Sequence, residues 1–394
     1  MISPTLLGQL AALHELLTTL PTTIPENDCY QRYNPRLESL AWYLGRAVYV
    51  EAFWLREVVD DDDRLTKRVR PLFDPRLASD AAEVTLPPRE HLLNWALEIQ
   101  EEDLLRLANP AMLPAHPLLQ DERLIGFIIQ ELALIYERML LVLSARQLRQ
   151  HERDFRPARA LRAGTDEIRM AEINFGHYRL GGDPRHPHYD NEVPSQVVEL
   201  HGSRIAVRPV GNAWFLGFIQ AEGYQRDELW SEEGRQWRDQ HASMHPWYWR
   251  RNAQGEWYEV GLNGPLDLHP DEPVRGISLH EAEAFSRWLA GVDSNYRGAV
   301  LQHEYQWEMA ARNQLIEDTG RAAEWCANRF FAYDGFTPFP DIESRRDQFK
   351  AVEHSVRGSH LHSQKILRRP SLRRHAPADA GWLLNTTRLV FPPA

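Results

Sequence analysis

Residues 124–142 constrain the fold most. At about 100° per residue, Leu124, Ile128, Glu131, Ile135, Met139 and Val142 fall on one narrow stripe. Such a stripe marks a long helix with one face in a core. A carboxylate, Glu131, interrupts it in the middle, while Glu137 lies roughly 120° round the same helix. A second segment, LESLAWYLGRAVYVEAFWLREV (37–58), carries a stripe of Trp42, Arg46, Tyr49, Val50 and Phe53. Here the intruding charge is Arg46. An isolated buried ion is costly, so buried charges are normally paired. Opposite charges on two core-facing stripes therefore predict an Arg46–Glu131 ion pair inside a bundle. The plainer alternative is that one of them snorkels to water at a bundle end.

Two more segments have helical texture. Residues 5–20 end at Pro21, and residues 87–107 begin at Pro87 and Pro88. With the helix over about 119–150 they predict a four-helix, up-down bundle. VVDDDDRL reads as an acidic, solvated turn. HERDFRPARALRAG (151–164), charged and containing Pro157, reads as a linker, which places domains at 1–155 and 156–394. After it Gly, Pro and Trp rise, and most of the 13 tryptophans fall between 214 and 325. Two helices stand out there. SLHEAEAFSRWLAG (278–291) has a capping box of Ser278 and Glu281 and ends at Gly291, and HEYQWEMAARN is shorter. The remainder reads as short strands and long loops, so the fold class is an α domain followed by an α+β domain.

Bulk properties narrow the function. A net charge of −11 disfavours nucleic acid and anionic membranes as partners. No apolar run approaches the ~18 residues of a membrane span, and the N-terminus has no secretory signal pattern. Cys29 and Cys326 stand far apart, which fits a reducing, cytoplasmic setting. No Ser-His-Asp pattern, phosphate-cradling loop or CxxC motif is present.

Five segments, in order, resemble one family. They are HYDNEVPSQVVEL (188–200), GYQRDELWSEEGRQWR with HPWYWRR (223–251), DEPVRGISLHEAEAFSRWL leading into LQHEYQWE (271–308), AEWCANRFFAYDGFTPFPD (323–341) and SVRGSHLHS (355–363). The chain resembles the ergothioneine-type sulfoxide synthases, including the selenoneine synthase branch. That resemblance implies a DinB-like four-helix bundle followed by a formylglycine-generating-enzyme-like, C-type-lectin-like domain. It also implies iron held by three histidines, on a W-H-L-G-H helix and an H-x3-H-x-E helix. SLAWYLGRAVYVEAFWL (39–55) and FIIQELALIYERML (127–140) match those helices, and the three positions fall on Arg46, Glu131 and Ile135. Of the motif's acids and ligands, only the trailing Glu137 is kept. Arginine and isoleucine offer no lone pair to a metal, and one carboxylate is not a facial triad. The copper-binding cysteines of the formylglycine-generating enzymes are absent after the RGGS-like segment. The resemblance further implies ligand binding through arginines and the C-terminal segment. The candidates are Asp190, Asn191, Arg357, Asn385 and Arg388. For Asp190 and Asn191 the plainer reading is that YDNE caps a loop, and for LRRPSLRRH (367–375) that it is a solvated basic face.

Other imidazoles were weighed as replacement ligands: the pairs His186/His188 and His360/His362, and His14 and His91 if they face inward. His177 reads as a strand residue and Cys326 as a packed thiol. Three functions remain open. The first is an iron-free relative without cofactor that binds a small molecule or a partner protein. The second is an iron(II)- and oxygen-dependent enzyme forming a C–S or C–Se bond on a histidine derivative through other ligands. The third is different chemistry with Glu131 or Glu137 as acid or base, for which Glu131 is poorly suited if Arg46 holds it ionised.

Overall fold

The computed structural model describes residues 2–75, 85–150, 155–164, 166–183, 188–241, 243–339, 349 and 352–393. The chain divides into two units. One is Met1–Gln150 with Gln364–Leu367, and the other is His151–Ser363 with Arg368–Ala394.

In the first unit, Ser3 caps α1 (Pro4–Thr19) by accepting from the Leu6 amide, and proline sits in the first turn, where its missing N–H costs nothing. A single turn, α2 (Glu26–Cys29), follows. Ser39 caps α3 (Leu40–Ala52), accepting from Trp42 N at 3.2 Å. The helix then runs on as a π-helical stretch, Phe53–Val58. The remaining helices are α4 (Arg64–Phe73), α5 (Arg89–Ala108) and α6 (Arg123–Arg149). The predicted stripe on α6 is inward: Leu124, Ile128, Met139 and Val142 are 4% exposed or less.

The helix order corrects the up-down expectation. α1 and α3 each pack along both α5 and α6, so α1 and α3 occupy diagonal corners. The segments after α1 and after α5 include 3-10 turns (Leu20–Thr22, Pro110–Met112, Pro117–Glu122). They are long enough to cross a diagonal, whereas sequential neighbours need short loops. Residues 59–63, within the acidic VVDDDDRL, are non-helical as expected, and α4 follows them. The acids of DDDD precede its N-terminus, where negative charge is favoured, and its far end presents Phe73 to α3.

The second unit is built on two four-stranded sheets. The first has the order β1 (Met170–Ile173), β4 (Ser203–Ala206), β13 (Leu389–Phe391), β8 (Val300–Leu301), all antiparallel. The second is β11 (Arg373–Pro377), β10 (Glu353–Arg357), β9 (Ala323–Arg329) and β12 (Asn385–Thr387), with β12 parallel to β9. β2 (Gly176–Leu180) and β3 (Gln196–Leu200) form a hairpin, and β5 (Trp249–Arg251), β6 (Trp257–Gly261) and β7 (Gly264–Leu266) form a meander. The helices are α7 (Asn212–Gln220), α8 (Glu232–Gln240), α9 (Leu279–Leu289) and α10 (Glu304–Arg312). α9 has the predicted capping box: Ser278 Oγ accepts from Glu281 N at 3.2 Å, and Glu281 Oε2 accepts from Ser278 N at 2.7 Å. Phe215, Phe218, Phe285, Trp249 and Trp325, each 1% exposed or less, centre the aromatic core. Among the described residues no helix is long and apolar enough to cross a membrane.

Candidate functional site

The positions that the resemblance gives to the iron ligands, Arg46, Glu131 and Ile135, are on α3 and α6. Arg46 is half-buried. Its Nη1 donates to the Phe73 carbonyl at 3.1 Å, and the guanidinium lies over the Tyr49 ring, 5.2 Å from its centre. These contacts run to α4 and along α3 itself. Glu131 is half-buried, Ile135 is buried, and Glu137 is 3% exposed. A donor set containing a guanidinium and an alkyl chain does not fit iron(II). Among the described residues, no group of three or more His, Cys, Asp or Glu converges to hold a metal ion.

The more polar interior lies on another face of the same bundle. His14 turns inward from α1, 6% exposed, and its Nε2 meets Glu51 Oε2 of α3 at 2.8 Å. Glu51 and Asp103 of α5 are both fully buried. Arg56, on the π-helical stretch, reaches Asp103 Oδ1 at 3.2 Å and Glu102 at 3.0 Å, and Arg106 is 3.6 Å from Asp103. Among the described residues, Glu51 Oε1, Asp103 Oδ2 and both amide atoms of Gln100 have no hydrogen-bond partner. Burial, reinforced by the negative Glu51, pushes the Asp103 carboxyl up to about 7, against the pull of Arg56 and Arg106. This cluster was legible by the rule that singled out Glu131: Glu51 interrupts Leu44, Val48 and Leu55, and Asp103 interrupts Ile99 and Leu107. His91, the other imidazole weighed here, is exposed.

In the second unit the candidate arginines serve the core. Arg388 is fully buried and bidentate on Glu324, at 2.9 and 2.8 Å, with further bonds to the carbonyls of Ala206 and Glu317. Arg357 is fully buried, paired with Glu308, and donates to the Pro370 carbonyl at 2.7 Å. Arg357 and Arg388 therefore act as internal counter-ions, since a desolvated guanidinium needs its partners inside the protein. Arg373 completes the set, bidentate on Glu304 at 2.8 and 2.9 Å with Tyr333, Phe330 and Phe331 around its guanidinium. Burial raises the Glu304 carboxyl, but Arg373 outweighs it and holds the group low. LRRPSLRRH is thus not a solvated face: its second half enters β11, with Arg373 2% exposed.

Asp190 and Asn191 are buried in a 3-10 turn. In that turn Glu192 accepts from Tyr189 N at 2.8 Å and pairs with Arg369. Asp190 Oδ2 accepts from Phe339 N at 3.4 Å. Asn385, 3% exposed on β12, accepts from Gly276 N at 3.0 Å through its carbonyl. His360 Nδ1 accepts from His362 N at 3.3 Å, so this HxH closes a turn. His188 is buried against Phe339, while His186 lies outside the described residues. His177 is an exposed strand residue beside Glu199. Burial pushes the Cys326 thiol well above its ordinary range, as suits a packed side chain.

With this geometry in hand, similarity to known proteins is informative. The model of the sulfatase-modifying factor enzyme 1-like domain matches residues 160–363. The chain belongs to that family. Within it, this sulfatase-modifying-factor-type chain is similar to the hercynine oxygenase of Mycolicibacterium thermoresistibile, 30% identical over 71% of this chain and 60% of that one. The hercynine oxygenase of Mycolicibacterium smegmatis is 27% identical over 82% of this chain and 72% of its own. The formylglycine-generating enzyme of Streptomyces coelicolor is 28% identical over 34% and 43%, respectively. The chain thus spans about 60% of the length of the first of these relatives. The resemblance to the formylglycine-generating-enzyme-like sulfoxide synthases is borne out, as is a helical N-terminal region followed by a sheet domain of that type.

Proposed function

We propose that this chain is an iron-free member of the sulfoxide-synthase branch, with a DinB-like helical unit, acting in the cytoplasm by binding a small molecule or a protein partner. One observation supports the reading: Arg46 and Ile135 occupy positions that the resemblance gives to two of three ligands, and neither has a lone pair to give. The charges of Arg46 and Glu131, half-buried on α3 and α6, would take the place of a cation between those helices. The relatives' name supplies the small molecule to try first, hercynine.

The test is anaerobic iron(II) loading, desalting and elemental analysis, with oxygen uptake on the same sample. The expected result is no retained iron and no uptake with hercynine and a thiol present. Stoichiometric iron with uptake would replace this reading by an active oxygenase using other ligands. A second arm restores the donors. The triple variant Arg46→His, Glu131→His, Ile135→His is expected to gain about one iron per chain, since three imidazoles with open positions suit iron(II). Failure of the folded variant to gain iron would show that these positions do not converge.

A further inference from the structure

The second unit has a cavity of 270 Å³ at one end of β4 and β13, the two central strands of the β1-β4-β13-β8 sheet. Its floor is apolar and aromatic, formed by Val210, Trp214, Phe285 and Leu389. Asp166, Glu167 and Asp271, all exposed, stand at its rim. The walls are tied in place. Gly164 N donates to Ala213 O at 3.3 Å, Ile168 N to the Tyr296 hydroxyl at 3.2 Å, and Val207 N to Arg169 O at 2.8 Å. Trp214 is held edge-on by Tyr296, with ring centres 5.7 Å apart.

Charge decides what such a space would take. The rim guanidiniums, Arg169 and Arg208, are both engaged by Glu317 beyond the cavity, at 3.0 and 3.1 Å, and Arg208 also meets Asp318 at 3.6 Å. Arg321, the next cation, is engaged by Glu272 and Asp318. Carboxylates therefore outnumber guanidiniums around the opening. The first turn of α7 borders the cavity, and a helix N-terminus favours anions. Here, however, the Asn212 and Ala213 amides already donate to the carbonyls of Glu272 and Pro270, at 2.9 and 3.1 Å. The side chains set the sign.

We propose that this cavity is a binding site for a small organic cation, an ammonium group carried on an aromatic or aliphatic body. The body packs on Trp214 and Phe285, and the ammonium remains at the mouth among Asp166, Glu167 and Asp271. An aromatic floor and a negative rim suit that combination, because an apolar pocket buries the body while a few placed charges orient the ammonium. Every lining residue belongs to the second unit, whereas the positions that the resemblance gives to the iron ligands are on α3 and α6. The proposal is therefore independent of the iron-free reading.

The test is calorimetric titration of the full chain with phenethylammonium, with phenethyl alcohol and 3-phenylpropionate as neutral and anionic isosteres. Saturable binding is expected for the cation alone, in the range of about 1 mM or tighter for so small a ligand. The variant Asp166→Asn/Glu167→Gln/Asp271→Asn, changed only at exposed positions, is expected to weaken it about tenfold, as the loss of several exposed charge contacts would. Trp214→Phe is expected to weaken it about threefold, the smaller ring offering the body less apolar surface to cover. Absence of saturation, equal binding of either isostere, or an unchanged affinity in the carboxamide variant would each overturn the proposal.

Discussion

Arg46 is the residue on which the functional reading turns, and its contacts give it a measurable weight. It donates to the Phe73 carbonyl and covers Tyr49. Removing a charged hydrogen bond and a cation–π contact at a half-buried site costs about 1–2 kcal/mol. Arg46→Ala is therefore expected to lower stability in urea unfolding by at least that amount. A loss of about 3–5 kcal/mol would mean that Glu131 is left as an uncompensated buried charge, and that the pair predicted from the two stripes dominates. The stripes themselves were legible because helical geometry fixes which residues share a face. The contact of Arg46 with the Phe73 carbonyl was not. An arginine side chain is long enough to leave its own stripe, and the carbonyl it reaches belongs to a helix that the acidic run concealed. The internal partners of Arg357 and Arg388 were hidden for a related reason: nothing in a row of residues says which guanidinium will find a carboxylate inside the core.

At the scale of elements, α3 and α4 depend on one close approach. A Cβ at Gly45 would lie 2.1 Å from the Phe73 ring, so the ring packs directly on the α3 backbone. Gly45→Ala should gain helix propensity yet lose stability overall, by about 1–3 kcal/mol, the usual range for overpacking a core. An unchanged or raised melting temperature would show that Phe73 moves aside freely. The π-helical stretch after α3 is a second such feature, because it carries Arg56 toward α5. Element legibility followed stripes, prolines and caps. α3 and α6 have apolar stripes, α1 and α5 are marked by Pro21 and by Pro87 and Pro88, and α9 has its capping box. α7, NAWFLGFIQ, is apolar nearly all round and so has no stripe to read, while α8 is short and mostly polar.

At the scale of the whole molecule, the two units titrate in opposite directions. In the helical unit Asp103 holds its proton up to about 7, whereas an unfolded aspartate releases it near 3.8. Its contribution is therefore full below that lower value and is lost as pH rises toward 7. In the sheet unit, burial lowers His354 to about 4, helped by Arg329, and burial also lowers His245, His280 and His303. Their contribution is full above 6.5 and is lost as pH falls through the depressed values. Glu304 and Glu192, held low by Arg373 and Arg369 against burial, extend that loss to lower pH, while Glu281, raised by burial, runs the other way. Calorimetry between pH 5 and pH 8 is expected to show two transitions, as separate cores allow. Acidification should move one up and the other down. Asp103→Asn should flatten the first and leave the second unchanged. One transition, or two that shift together, would contradict this assignment.

The path of the chain adds a consequence for inheritance. Gln364–Leu367 belong to the helical unit, although the residues on both sides of them belong to the sheet unit. A single crossover near codon 150 would therefore deliver a bundle without its four late residues and a sheet domain with an orphaned excursion. Gene fusion that treats the two units as interchangeable cassettes, cut once near codon 150, would therefore separate residues that DNA order keeps apart but the fold groups together.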